Sequence, residues 1–161
     1  YAFLYGAGDE KIGKSYDQSL PTNKAKSKGK EIRSAYVEAI DGLDTLLLNV
    51  RKAADRGYIK AIDGRRIPVD SPHKALNYLL QSSAAVVAKR WLVIAHPLCK
   101  DLLGRQLAFV HDELQYECPP EKTEDVKFAL ELAAVQAGEY YNLRCPIAAE
   151  GKIGINWAEV H

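Results

Sequence analysis

Methionine is absent from the 161 residues, and cysteine occurs three times. Cys99, Cys118 and Cys145 are odd in number and widely spaced, with no C-x-x-C pair. That pattern suggests neither a disulfide framework nor a structural zinc site, and His96 near Cys99 reads as incidental. A reducing, cytoplasmic setting fits. No apolar run is long enough to span a membrane, and no signal peptide is visible. Internal repeats and low-complexity stretches are lacking too. The chain opens on Tyr1-Ala2-Phe3-Leu4-Tyr5-Gly6, an apolar helical pattern without a preceding cap. With no methionine, this predicts a piece cut inside a helix. What is present is the composition of a soluble globular protein, 47% hydrophobic and long enough for one sizeable core.

The formal net charge is only +1, but it is unevenly laid out. Residues 11–33 carry seven basic and two acidic side chains, residues 51–105 eleven and four, and residues 106–161 four and ten. The middle of the chain looks built for a polyanion, while the acidic tail argues against indiscriminate DNA binding over the whole surface. Lys24, Lys26, Lys28 and Lys30 spread around a helix or loop, a pattern that by itself is an ordinary solvated surface.

Gly6-Ala7-Gly8 breaks the opening helix before a short one from 9 to about 16, and 20–23 reads as a connection. Helical patterns follow over roughly 24–39, with Ile32, Tyr36 and Ile40 on one side, and over 41–55, with Leu43, Leu46, Leu47 and Val50. Gly57 caps the second. Asp63-Gly64 between two short β-prone runs predicts a hairpin. Ser71 as N-cap and Pro72 then start a long helix that buries Leu76, Leu80, Val87, Trp91 and Ile94 and ends or kinks at Pro97. On another face His73, Asn77 and Gln81 stand four residues apart, so they project the same way. Such donors could check base-pair geometry in a DNA minor groove without reading sequence, although a polar solvent face has the same pattern. Further on, 121–137 reads as a helix with Val126, Ala129, Leu130, Ala133 and Ala137 on one stripe. Residues 144–150 read as a strand, and 151–157 as a turn-rich close.

Phe109-Val110-His111-Asp112-Glu113-Leu114 places two carboxylates at the tip of a tight hairpin. Leu107, Phe109 and His111 fall on one face, Leu114, Tyr116 and Cys118 follow the bend, and Pro119-Pro120 stops the second strand. A two-residue turn prefers Asn-Gly or Gly-X, and adjacent negative charges repel. An exposed Asp-Glu pair is usually solvated surface, but one held rigidly against local preference points to a site. For a hard cation such as Mg²⁺, an exposed carboxylate on a rigid bend is a suitable half-site.

Taken together these residues resemble the C-terminal part of a family A (Pol I-like) DNA polymerase, most similar to those of podovirus-type bacteriophages. Residues 1–13 resemble the end of the fingers helix called motif B, and Asp63-Gly64-Arg65-Arg66 the turn before the next helix. Ser71-Pro72-His73 with Asn77 and Gln81 resembles the helix that contacts primer-template, and His111-Asp112-Glu113 the palm's motif C. Gly151-Lys152 through Asn156-Trp157 and a terminal His161 look like the family's C-terminus. The resemblance runs the whole length of the chain. It implies an α+β fold: a partial, helical fingers portion at 1–56 and a palm portion at 57–161, with a small antiparallel sheet and long helices. It also implies template-directed addition of deoxynucleotides to a primer 3′ end by two-metal-ion phosphoryl transfer, in the cytoplasm of an infected bacterial host. Asp112 would bind the catalytic Mg²⁺ ions and Glu113 would support it. Tyr1 would pack against the incoming deoxynucleoside triphosphate, and Tyr5 would lie near the templating base pair. His73, Asn77, Gln81 and His111 would contact primer-template DNA. A processivity factor would bind outside this chain, and no membrane is involved.

Motif B's Arg and Lys would lie before Tyr1, and motif A, with the other invariant Asp, is also missing. Two-metal transfer needs carboxylates on both sides of the ions, so the chain alone is expected to be inactive. Two other readings compete: a non-catalytic DNA-binding module, and a phosphohydrolase using His111-Asp112 as metal ligands. The second normally puts that pair in a helix among further histidines, whereas here the neighbours alternate with period two.

Overall fold

Two glycines let the first two helices touch backbone to backbone. In this computed structural model, which describes residues 2–160, α1 (Asp9–Tyr16) lies against α2 (Thr22–Ala39). A Cβ added at Gly13 would overlap the carbonyl oxygen of Ala25, and one at Gly29 that of Asp9. The expected connection at 20–23 is shorter than read, since α2 already starts at Thr22, after Pro21. Its apolar side is only partly used: Tyr36 and Ile40 remain exposed.

The chain divides into two compact units, Tyr1–Ser82 and Ser83–His161. The first unit has its core where α3 (Leu43–Asp55) meets a small hairpin and the start of a long helix. Val50 and Ala54 of α3 pack with Ile59, Ala75 and Leu76, and Phe3, Leu4, Leu47 and Ile67 close around them. The hairpin pairs β1 (Tyr58–Lys60) with β2 (Arg66–Pro68), Ile59 opposite Ile67. Its turn is tied by Asp63, whose carboxylate accepts from the backbone N–H of Arg65 at 3.2 Å and from its Nε at 2.6 Å. The Arg65 side chain thereby holds the Asp63 carboxyl below the usual carboxylate range.

Pro72–Lys74 forms a 3₁₀ turn, and α4 (Ala75–Asp101) follows directly. Three expectations about this helix change. Ser71 makes no side-chain capping bond, because its hydroxyl is engaged by the His73 ring at 2.8 Å. Leu80 is exposed; Leu76 is buried as expected, Ala75, Val86, Ala95 and Cys99 are buried with it, and Val87, Trp91 and Ile94 are half-buried. Pro97 sits inside the helix, which continues to Asp101.

In the second unit, β3 (Arg105–Val110) and β4 (Glu113–Glu117) form an antiparallel pair, and α5 (Thr123–Tyr140) follows another 3₁₀ turn. Val126, Ala129, Ala133 and Ala137 of α5 are buried as the stripe predicted, and Glu124 and Asp125 favour its N-terminus. Trp91 Nε1 donates to the Leu130 carbonyl at 2.8 Å. The strand expected at 144–150 does not form. Ile147 packs without strand pairing, over Gly138 of α5. A short α6 (Trp157–Val160) ends the described chain. The architecture is α+β, with two small antiparallel sheets among helices. Among the described residues no helix is long and apolar enough to cross a membrane.

Cys99 is fully buried beside Val126, Ala129 and Tyr116. Burial pushes its thiol up to about 11 and the Tyr116 phenol up to about 12. Both groups bind their proton more tightly folded than unfolded, so stability is expected to fall as pH rises through these values. For Cys99 alone the loss is on the order of 3 kcal/mol between about pH 9 and pH 11. Urea unfolding of the wild type and Cys99→Ala at pH 8 and pH 11 checks this: the variant should show a clearly smaller alkaline loss.

Candidate active site

The register of the β3–β4 hairpin decides which carboxylate stands at its tip. Val110 pairs with Glu113, Phe109 with Leu114 and Ala108 with Gln115, leaving His111-Asp112 as a two-residue turn. Asp112 is therefore at the bend and exposed, while Glu113 is already the first residue of β4 and half-buried. The two acids predicted to share the tip thus occupy different environments. The Glu113 Oε1 accepts a hydrogen bond from Gln115 Nε2, which fixes its direction.

His111 has φ 55°, the positive φ that the primed two-residue hairpin turns demand at their first central position and normally give to glycine or asparagine. A non-glycine residue there costs about 1 kcal/mol, so the turn holds the exposed imidazole beside Asp112 at some expense to the hairpin. The expected alternation also breaks. A bulge lies between Gln106 and Ala108, and Leu107 is exposed rather than facing inward with Phe109. Bulges re-aim side chains near functional sites.

Carboxylate oxygens at this bend suit a hard divalent cation. Among the described residues no group of three or more His, Cys, Asp or Glu side chains gathers closely enough to hold one. Among the described residues, Asp112 and Glu113 are the carboxylates that this hairpin offers at and beside its bend. His111 lies in a hairpin turn, not in a helix among further histidines, which removes the geometric basis of the phosphohydrolase reading.

The other candidate residues lie in the first unit. Tyr5 is exposed, and Gln81 Nε2 lies 3.5 Å from its hydroxyl, a long hydrogen bond. Gly6 follows with φ 72°, and a Cβ there would come within 2.5 Å of the His73 carbonyl oxygen. The end of the opening segment is thus seated on the start of the His73–Asn77–Gln81 row. His73 belongs to the 3₁₀ turn, whereas Asn77 and Gln81 are on α4, so the row crosses a change in helix type. Asp70 steadies that turn by accepting from Lys74 Nζ at 2.8 Å and from the Tyr78 hydroxyl at 2.9 Å. Tyr1 and the terminal His161 lie outside the described residues.

Sequence reasoning missed Arg33. Its Nε donates to Asp9 Oδ1 at 2.7 Å and its Nη2 to the Ala7 carbonyl at 2.7 Å. Side chains 24 residues from their partner leave no periodic signal, so nothing in the local pattern could have found it.

Comparison with known proteins matches residues 1–159 to the model of the family described as DNA polymerase family A. The DNA-directed DNA polymerase of Enterobacteria phage T3 is 33% identical, over all of this chain and 25% of the relative. That of Escherichia phage T7 is 32% identical, again over all of the chain and 25% of the relative. The chain thus spans about a quarter of the length of these relatives. Among solved structures, the POL domain of Pol1 from M. smegmatis, in complex with DNA primer-template and dNTP, superposes with a TM-score of 0.74 at 26% identity. The match covers 91% of this chain and 27% of that one.

Proposed function

Because the chain belongs to DNA polymerase family A, we propose that it is the C-terminal fingers and palm part of a DNA-directed DNA polymerase. That enzyme extends a primer 3′ end with deoxynucleotides during viral DNA replication in an infected bacterial cell. The observation that carries this reading is the hairpin register, which singles out Asp112 at an exposed two-residue turn. Asp112 holds Mg²⁺ in this reading, and Glu113, oriented by Gln115, supports it from the adjoining strand. Bound Mg²⁺ supplies charge neutralisation at the transferring phosphoryl group.

Tyr1 and Tyr5 serve the incoming nucleotide and the templating pair. His73, Asn77 and Gln81 offer donors to primer-template, and His111 serves the primer end. Fingers and palm are functional assignments, 1–56 and 57–161. The compact units divide elsewhere, since the core of Val50, Ala54, Ile59 and Leu76 spans the 56/57 boundary. A processivity factor is assigned to the part of the relatives' length that this chain does not span.

Joining the chain to the N-terminal three quarters of the phage T3 polymerase tests the proposal. The assembled protein is expected to extend a primer in a template-directed, Mg²⁺-dependent way, while the 161-residue chain alone does not. A folded hybrid that binds primer-template yet adds no nucleotide would overturn the assignment.

A further inference from the structure

The opening segment packs Phe3 and Leu4 on the core and is also held by a polar clamp. Arg33, on α2, spends the Nε–Nη2 edge of its guanidinium on the turn after Tyr5 and the start of α1: Nη2 on the Ala7 carbonyl and Nε on the Asp9 carboxylate, each at 2.7 Å. The guanidinium also lies over the Phe3 ring, 5.3 Å from its centroid, and Phe3 meets Tyr36 of α2 at 4.9 Å. Beside these groups is an open, mainly apolar cavity of about 320 Å³, lined by Phe3, Leu4, Ile12, Tyr16, Ile32 and Tyr36. On that side packing by itself does not fix the orientation of the segment, even though Phe3 and Leu4 also close on the core. A planar guanidinium with two directed bonds does, because it sets distance and orientation together.

We propose that Arg33 is a positioning residue for nucleotide selection: it locks the Gly6-Ala7-Gly8 turn and so holds the Tyr5 ring where the incoming nucleotide pairs. The inference rests on the assignment of Tyr5 to the nucleotide site. Ala7 is two residues from Tyr5, and the intervening Gly6 is itself pressed on the His73 carbonyl. A shift at Ala7 is therefore passed to Tyr5 with little room to be absorbed. Lysine at position 33 keeps the charge, but its ammonium lacks the rigid fork that serves Asp9 and Ala7 at once.

Two measurements decide it. In the 161-residue chain, Arg33→Ala is expected to speed amide hydrogen exchange over residues 2–8, where Gly6 N–H bonds the Phe3 carbonyl and Ala7 N–H that of Ala2, with α3 unchanged. In the assembled polymerase, the same variant is expected to raise KM for the incoming nucleotide about tenfold with kcat within about threefold, and Arg33→Lys to recover part of it. Unchanged exchange over 2–8 overturns the clamp. Faster exchange with an unchanged KM overturns the positioning role. Loss of protection in α3 as well, without rescue by lysine, shows a purely structural residue and overturns it too. A folded wild-type hybrid that binds primer-template yet adds no nucleotide refutes the polymerase reading, and the exchange experiment still decides the clamp.

Discussion

Asp112→Ala in the assembled polymerase is expected to lower the rate of primer extension by about 10³-fold or more, roughly 4 kcal/mol of transition-state stabilisation. Primer-template affinity should stay within about threefold, because phosphate contacts come from basic side chains and not from this acid. The loss is large because nothing nearby can replace the carboxylate. Glu113 is in register with Val110, and its Oε1 is engaged by Gln115. No third ligand joins the hairpin among the described residues. Folding is not the cause, since an exposed turn substitution changes stability by only about 0.5 kcal/mol. Glu113→Gln, acting from a supporting position, should cost far less, about tenfold. Single-turnover extension beside a filter-binding isotherm measures both effects. Extension by Asp112→Ala within tenfold of wild type would sink the metal assignment, as would a parallel loss of DNA binding.

Local rules made much of this chain legible. Helix starts and stops followed from Gly8, Gly57 and the apolar spacing, and the Asp63-Gly64 hairpin formed as read, whereas residues 2–6 form turns and not the helix end their apolar pattern predicted. The motif at 111–113 located the candidate site, but period-two reasoning could not foresee the bulge at Leu107 or the different environments of Asp112 and Glu113. Both depend on strand register, which a single sequence constrains only through burial of one face. Residues 144–150 failed as a strand for a similar reason. β-propensity reports fit to a half-buried surface, and here that surface was a helix carrying Gly138, not a neighbouring strand. Ser71 shows the same competition on a smaller scale: a good N-cap residue was claimed by a histidine two positions on.

The largest stability effect is expected at Gly29. Its α-helical backbone passes so close to the carbonyl oxygen of Asp9 that a Cβ would overlap it, and Gly13 meets Ala25 in the same way. Here backbone faces backbone, so no flexible side chain can swing aside and relief requires α1 and α2 to part. Overpacking a tight site costs about 1–3 kcal/mol and sometimes more, and a rigid pair of helices places Gly29→Ala at the upper end. For a unit of this size, about 3 kcal/mol lowers the melting temperature by on the order of 15 °C. The damage should not stay in the helices. Asp9 holds Arg33, and Arg33 holds the Ala7 carbonyl, so parting α1 from α2 loosens the turn after Tyr5. Lys30→Ala, one residue along on the exposed side of α2, is the control and should change stability by only about 0.5 kcal/mol. Thermal melts of the two variants separate the cases, and a Gly29→Ala midpoint within a few degrees of wild type would show that α1 and α2 are not held at the contact distance their glycines permit.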